Sequence, residues 1–320
     1  MTDLLQDGSL ASALRLSREQ ARAALHAARL VTHADGDPGE RSLRLLEVLR
    51  RGLALGPDEL GQPVDLSLAY STERERRGLV DALVVAACIE GEVTAARQNA
   101  VLAIADRLGV RSPWAHLLEA LRRRRAFAVK RALAARAPDA RRILQRTWQE
   151  EGLLGLLRAL VFVLGLHRDA RLAARFRNLA TCPEGSLGRA VADHFALRGL
   201  SFPGEKNGVP ERMFHHDLMH VLNGYDTDPA GECELGAFYA AFADGDAFTF
   251  VVIVLATFHL GLRVSPSVVT PSRGAFDPER ALVAFVRGRA VRVDVMGPWN
   301  YWELMPLPLA EARERLDSGR

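Results

Sequence analysis

A chain of 320 residues exceeds the size at which one hydrophobic core keeps growing, so we expect two domains. Its 48% hydrophobic and 25% charged residues are typical of a globular protein, and a net charge of only +3 argues against a surface that binds nucleic acid. Three scattered cysteines predict no disulfide framework and a reducing, cytoplasmic compartment. The first residues have neither a basic start nor an apolar core, so no signal peptide is expected.

The first predicted elements form an internal repeat. Residues 23–55 and 78–110 each indicate a helix, a glycine turn flanked by acids, and a second amphipathic helix. Asp35-Gly36-Asp37 lies in the first turn and Glu90-Gly91-Glu92 in the second. The pairing resembles the tellurite-resistance TerB-like family over about residues 15–145.

The TerB-like resemblance implies that the acids of the turns contact metal ions. The alternative is structural, since Asp and Glu favour helix ends and first helical turns whatever they bind. We favour the structural interpretation. The residues concerned are Asp35, Asp37, Glu90 and Glu92.

The middle of the chain contains one charged and one apolar run. Arg122–Arg125 is interpreted as the exposed C-terminal end of a helix, where cations are favoured. The alternative is a contact with phosphate or anionic lipid. Gly155–Gly165 is apolar, but it is interrupted by Arg158 and is too short to span a bilayer. A domain boundary is expected near Ala137-Pro138 or Gln149-Glu150.

The run His216-Asp217-Leu-Met-His220 is the most informative part of the sequence. At about 100° per residue, His216, Asp217 and His220 share one arc of a helix. Imidazoles and a carboxylate on one arc are costly to bury unless something binds them, and a divalent metal does so. The arc therefore predicts metal ligands.

A fourth ligand is expected from the next helix. Asn223-Gly224 is a helix-ending signal, and Asp228-Pro229 is a helix-starting one. Eleven residues separate His220 from Glu232, which places Glu232 in the first turn of that helix. If the two helices pack antiparallel, Glu232 faces the histidines. Two histidines and two carboxylates suit zinc, and also manganese or iron.

Further apolar and alternating segments follow the motif. Ala247–Leu262 would reach only about 24 Å as a helix, and we interpret it as a buried core helix. The alternative is that it lines an apolar groove suited to a polyprenyl tail. Val264–Thr270 and Ala290–Val295 alternate weakly and allow one short strand. We therefore predict an all-α fold with two helical domains, residues 1–145 and 146–320.

The set His216, Asp217, His220 and Glu232 resembles the His-Asp-x-x-His…Glu signature of the coenzyme Q biosynthesis protein four family, which is described as a zinc site. Two flanking regions also resemble that family: Leu179–Gly188, and Trp299 together with Met305–Leu316. The similarity covers about residues 150–320. One segment departs from the family, because Glu211-Arg-Met-Phe-His215 replaces a basic and acidic run. We interpret His215 as a neighbour of the site or a surface residue.

This resemblance implies a ubiquinone-pathway protein that is cytoplasmic or peripheral on the inner face of the membrane. Its ligand would be a prenylated quinone precursor or lipid, and its role either oxidative decarboxylation of an aromatic acid or the organisation of other pathway proteins. The resemblance is also compatible with a homodimer. His216, His220 and Glu232 would bind the metal, and Asp217 would be a ligand or a catalytic base beside it.

Two alternatives to a catalytic protein stay open. The first is a non-catalytic scaffold whose metal is purely structural. The second is a stress-response metal-binding protein, as the N-terminal resemblance implies. An open coordination position would favour the enzyme, and a closed tetrahedron of four protein ligands would favour the scaffold.

Overall fold

The computed structural model describes residues 8–136, 168–208, 211–241, 248–264, 270–293, 295 and 299–318. In these ranges the regular structure is helical, which confirms the predicted all-α class, and the only β pairing consists of two isolated bridges, Ser186 with Pro308 and Leu260 with Arg273. Within the same ranges no helix is long and apolar enough to cross a membrane.

Fifteen α-helices are described. In chain order they are α1 (Ser9–Leu14), α2 (Arg18–Thr32), α3 (Glu40–Gly52), α4 (Leu66–Ala69), α5 (Glu73–Cys88), α6 (Ala95–Arg107), α7 (Pro113–Arg122), α8 (Ala126–Arg136), α9 (Ala170–Arg177), α10 (Leu187–Arg198), α11 (Glu211–Asn223), α12 (Pro229–Ala240), α13 (Phe248–Val254), α14 (Pro278–Ala290) and α15 (Leu309–Ser318). Short 3₁₀ helices span Pro57–Gly61, Asn178–Thr181 and Tyr301–Leu304, and a π-helix spans Leu255–His259.

Two compact units make up the chain. The first combines residues 1–136 with 228–290, and the second combines residues 137–227 with 291–320. The predicted domain boundary and the apolar run 155–165 lie in 137–167, outside the described residues, so the division at residue 145 stays a prediction. Most of the weakly alternating segment 264–270 also lies outside them, and the described residues from 290 onward form no strand.

The internal repeat is present in the first unit. Helices α2 and α3 begin at residues 18 and 40, and α5 and α6 begin at 73 and 95. Helix α5 therefore begins 55 residues after α2, and α6 begins 55 residues after α3. A capping box starts both α2 and α5, formed by Ser17 with Gln20 and by Thr72 with Glu75. In the turns, Gly36 and Gly91 have φ values of 102° and 84°, a region in which a side chain is disfavoured.

Helix α12 is packed closely within the first unit. A Cβ at Gly288 of α14 would lie 2.5 Å from the backbone oxygen of Phe238, and one at Gly236 would lie 2.8 Å from the Val254 methyls. Glu234 is 2% exposed and accepts two hydrogen bonds from Arg280, at 2.7 and 2.9 Å. These contacts fix the orientation of α12 within its unit.

The described part of the expected core helix, residues 248–262, is mostly buried but is not one regular α-helix. The α-helical hydrogen bonding of α13 stops at Val254, and the π-helix continues to His259. His259 is fully buried, with Nε2 2.9 Å from the Ile89 carbonyl and Nδ1 accepting from the Phe276 amide. This histidine therefore has a structural role in the first unit.

An aromatic cluster forms the core of the second unit. Phe176 of α9, Phe195 of α10 and Phe214 of α11 are each at most 1% exposed. The Phe176 ring lies 4.6 Å from that of Phe214 and 4.9 Å from that of Trp302, between centroids. The guanidinium group of Arg175 lies over the Trp302 ring, with its central carbon 3.7 Å from the ring centroid. The cluster joins α9, α10 and α11 to the C-terminal segment.

The start of α10 is bound to the segment before α15. The Leu187 amide donates to the Leu307 carbonyl at 2.8 Å, and the Leu309 amide donates to the Gly185 carbonyl at 3.0 Å. At Gly188 a Cβ would lie 2.7 Å from Cys182 Sγ, so only glycine fits without a shift. The two regions flanking the histidine motif that were singled out in the sequence are thus neighbours in the fold.

Candidate metal centre

Helix α11 brings His216 and His220 together, one turn apart. Their ring centroids lie 4.8 Å apart with an angle of 69° between the planes, and a ring nitrogen of one lies within 4.8 Å of a ring nitrogen of the other. His220 is 1% exposed, whereas the side chain of His216 is 45% exposed. Asp217 is partly buried beside them, its Oδ1 3.9 Å from His216 Nδ1. The predicted arc is therefore present on the helix.

A hydrogen bond assigns the tautomer of His220. Its Nδ1 lies 3.2 Å from the carbonyl oxygen of Tyr225, and a carbonyl oxygen only accepts. Nδ1 therefore carries the proton in this bond, and in the neutral tautomer the lone pair is on Nε2. A metal-binding imidazole needs this arrangement, in which one nitrogen is anchored to the protein and the other is a Lewis base.

The C-terminal end of α11 is fixed by several contacts. Gly224 has a φ of 72°, and the amides of Gly224 and Tyr225 both donate to the His220 carbonyl, at 2.8 and 3.1 Å. Arg313 of α15 donates to the carbonyl of Leu222 at 2.6 Å. Since Tyr225 also supplies the carbonyl that binds Nδ1, these contacts position the His220 ring. The predicted helix end at Asn223 is confirmed.

Glu232 lies where the sequence places it along the chain. Helix α12 begins with Pro229, the Asp228 carboxylate accepts from the Gly231 amide at 2.7 Å, and Glu232 occupies the first turn. It is partly buried and belongs to the first unit, whereas the histidines belong to the second. That Glu232 joins the ligand set stays a prediction from the eleven-residue spacing.

His215 packs against aromatic side chains of the second unit. Its ring centroid lies 4.9 Å from that of Tyr301 in an edge-on arrangement and 6.0 Å from that of Trp299. Burial lowers the pKa of His215 below its ordinary value. These contacts explain its place in the helix without a ligand role.

Two of the four acids of the glycine turns, Asp35 and Glu90, accept hydrogen bonds from protein donors, whereas Asp37 and Glu92 are exposed. The Asp35 carboxylate accepts from the Thr94 hydroxyl at 2.8 Å and lies 3.0 Å from Nε of Arg97, whose side chain is 5% exposed. Glu90 accepts from the Ser42 amide at 2.8 Å and so caps α3, whose N-cap residue Gly39 has no side chain to do this. The structural interpretation of these acids accounts for both contacts.

A cavity of about 330 Å³ lies beside His220 in the second unit. It is bounded by α10 and by the end of α11 with the residues that follow, and it is lined by Ala190, His194, Arg198, His220, Val221, Gly224, Tyr225 and Asp226. No sequence signal marked His194 or Arg198, because each is a single polar residue in an ordinary helix. Their proximity to His220 arises only from helix packing.

His194 is held in its neutral form. It is 9% exposed, and its ring centroid lies 6.4 Å from that of His220. Burial, with the charge of Arg198 adding to it, lowers the pKa of His194 to about 4. The ring is therefore neutral at physiological pH.

No family model and no curated protein matches this sequence. Among solved structures, the chain is similar to one from Nostoc punctiforme PCC 73102 whose name assigns it, provisionally, to ubiquinone biosynthesis. The two sequences are 17% identical, the match covers 78% of this chain and 100% of the other, and the TM-score is 0.32. At that TM-score the similarity supports no statement about function.

Proposed function

We propose that the chain binds one divalent metal ion through His216, His220 and Glu232, with Asp217 as a further ligand or an adjacent base. We propose further that it acts in ubiquinone biosynthesis on a prenylated aromatic acid. The observation that carries the metal site is the imidazole pair of α11 together with the tautomer of His220.

The donor set fits zinc, manganese or ferrous iron. Two imidazoles and one or two carboxylates are ligands for all three ions. Glu232 suits the set because the positive end of the α12 dipole favours its ionised form, and only residues 224–228 connect α11 to α12. Bound metal would supply a Lewis acid that attracts an oxyanion of the ligand.

The link to ubiquinone rests on the sequence motif and its flanking segments. Two of those segments, at the start of α10 and before α15, are joined by the backbone hydrogen bonds of Leu187 and Leu309. These hydrogen bonds hold the start of α10 against the segment before α15, and α10 and α11 line the same cavity. This arrangement is compatible with a site that both segments help to position.

Metal analysis and quinone analysis test the two parts separately. Protein purified without chelators should contain about one metal ion per chain. In a host that makes ubiquinone and lacks its own copy of this gene, wild-type protein should restore the quinone, whereas His220→Ala should leave prenylated aromatic acids accumulated. Metal-free protein that takes up no zinc, manganese or iron would contradict the site. Full restoration by His220→Ala would contradict its role in the pathway.

A scaffold with a structural metal is the competing function. X-ray absorption at the metal edge distinguishes it, because a closed shell of four protein ligands favours the scaffold and a bound water favours catalysis. The variant Asp217→Asn adds a second criterion. A ligand role for Asp217 requires weaker metal binding, whereas a base role requires normal metal content with reduced quinone formation.

Attachment to a membrane is proposed as peripheral. No helix among the described ranges is long and apolar enough to cross a bilayer, and a polyprenyl substrate resides in the membrane. Washing membranes with carbonate or high salt should release the protein. Retention until detergent is added would contradict this proposal.

A further inference from the structure

One residue that lines the cavity beside His220 has a buried nitrogen without a hydrogen-bond partner among the described residues. Within the described part of the chain, Nε2 of His194 has no hydrogen-bond partner, although the residue is only 9% exposed. Buried polar groups are almost always hydrogen-bonded, and each exception requires a bound molecule or a structural reason. The cavity next to His194 provides space for such a molecule.

Arg198 supplies a positive charge on the wall of the same cavity. Its Nε donates to the Thr227 hydroxyl at 2.6 Å, and its Nη2 donates to the Asp226 carboxylate at 2.8 Å. A guanidinium group has five N–H donors, so these two bonds fix its orientation without using all of them. The Asp226 side chain is 64% exposed, so solvent screens its charge more than that of Arg198, which is 26% exposed.

The polar wall of the cavity favours an oxyanion. Arg198 donates hydrogen bonds and cannot accept them, and an imidazole can donate one from Nε2. A volume of about 330 Å³ is at the lower end of the range for ligand sites, which suits a small molecule or the head group of a larger one. A carboxylate satisfies both residues at once.

We propose that His194 and Arg198 form a binding site for the carboxylate of an aromatic acid, next to the imidazole of His220. This inference rests on the proposed function for the aromatic part of the ligand. The anionic head group is argued from His194 and Arg198 of α10, and the cavity lining includes neither His216 nor Glu232. His194 and Arg198 are thereby assigned as specificity-determining residues that select a ligand with an anionic head.

Binding of benzoate tests this assignment on the full-length protein. Calorimetry should detect benzoate binding to the wild type and at least roughly tenfold weaker binding to Arg198→Gln, a loss of about 1.4 kcal/mol. His194→Phe keeps a ring of similar size, removes the hydrogen-bonding nitrogens and should weaken binding several-fold. Benzamide, which has no charge, should bind weakly and equally to all forms.

Arg189→Gln is the matched control. Arg189 lies on the same helix, its side chain is 44% exposed, and it pairs with Asp193 rather than lining the cavity. Its variant should bind benzoate like the wild type. An equal loss in Arg189→Gln and Arg198→Gln would show attraction by overall charge only and would overturn the assignment.

A second measurement keeps the test independent of variant stability. In protein labelled with ¹⁵N-histidine, benzoate should shift the ring-nitrogen signal that disappears in His194→Phe, and benzamide should not. A wild type in which benzoate neither binds nor shifts this signal overturns the assignment. Metal content is measured on the same samples: retained metal without benzoate binding refutes only this assignment, whereas benzoate binding without any metal uptake refutes only the metal centre.

Discussion

Two regions of this chain carry sequence motifs made of metal-ligand residue types, and the fold treats them differently. In the first unit, Asp35 and Glu90 accept hydrogen bonds from Thr94 and Ser42. Each of these acids thus contacts the start of the second helix of the other repeat copy. In the second unit, His216 and His220 face each other at 4.8 Å, and a backbone carbonyl fixes the protonated nitrogen of His220.

The comparison shows that residue type and spacing do not suffice to identify a metal site. The Asp35 and Glu90 carboxylates already accept hydrogen bonds from a hydroxyl and from a helix N-terminal amide, so part of their acceptor capacity is used by the protein itself. Two imidazoles one turn apart on a helix are instead groups that a divalent cation can hold together, which is the role proposed above for His216 and His220. The identity of the nearby donors would therefore distinguish acids with a structural role from the proposed metal centre.

The largest expected effect is the loss of metal from His216→Ala and His220→Ala. Changes to residues that only support a ligand cost roughly 10- to 100-fold in affinity, so loss of a ligand should cost at least 100-fold. Elemental analysis after dialysis against a metal buffer measures this effect. His116→Ala on α7, an exposed residue, should bind metal normally. If His216→Ala and His220→Ala contain as much metal as His116→Ala, the two histidines of α11 are not metal ligands.

Glu232→Gln should have the next largest effect, a loss of roughly 10-fold or more in metal affinity, because it removes charge while keeping size. Glu234 is an unsuitable control, although it lies on the same helix, because it is buried against Arg280 and its loss would destabilise the fold. Glu184→Gln, at an exposed position, is the matched control. If both variants bind metal like the wild type, the eleven-residue spacing has no functional meaning.

Asp35→Asn should reduce stability without changing metal binding. Arg97 has a 5% exposed side chain and would lose its ionic partner, which should cost on the order of 1–3 kcal/mol. Urea unfolding monitored by circular dichroism measures the free energy of unfolding, and elemental analysis of the same protein measures metal. The control is a variant of equally reduced stability at a position far from the turn. Loss of metal from Asp35→Asn but not from this control would support a metal-binding role for Asp35.

The smallest effect is expected at Asp81, a further acid of the first unit. Burial raises its pKa from 3.8 to about 6, although a hydrogen bond from Ser112 opposes the shift. The folded state thus holds a proton that the unfolded state releases between about pH 4 and 6, so the stability contribution of Asp81 falls as pH rises through this window. Asp81→Asn stays neutral and should stabilise the protein at pH 7 by roughly 1–2 kcal/mol.

Unfolding curves at pH 4 and pH 7 check the Asp81 prediction. The difference between wild type and Asp81→Asn should be small at pH 4, where the folded wild-type side chain is already protonated, and should grow toward pH 7. A constant difference across this range would show that packing, rather than ionisation, causes it. Metal content should be the same in both proteins at either pH.

Local signals predicted the elements around the candidate site well. Gly224 ends α11 and Asp228-Pro229 starts α12 because a positive φ, a missing amide hydrogen and a capping carboxylate act within a few residues. The 55-residue repeat was visible for the same reason, since both copies have a glycine turn flanked by acids between two helices. In contrast, the single helix expected over 247–262 changes to a π-helix at Leu255, which no residue pattern marked.

The sequence by itself determined the helical class, the helix ends and the arc shared by His216, Asp217 and His220, because all of these depend on interactions within one or two turns. Only the tertiary structure decided which side chains from distant parts of the chain contact one another. Arg97 reaches Asp35 from another helix, and packing of α10 beside α11 places His194 and Arg198 at the cavity next to His220. Such contacts join residues far apart in the chain, so no local periodicity encodes them.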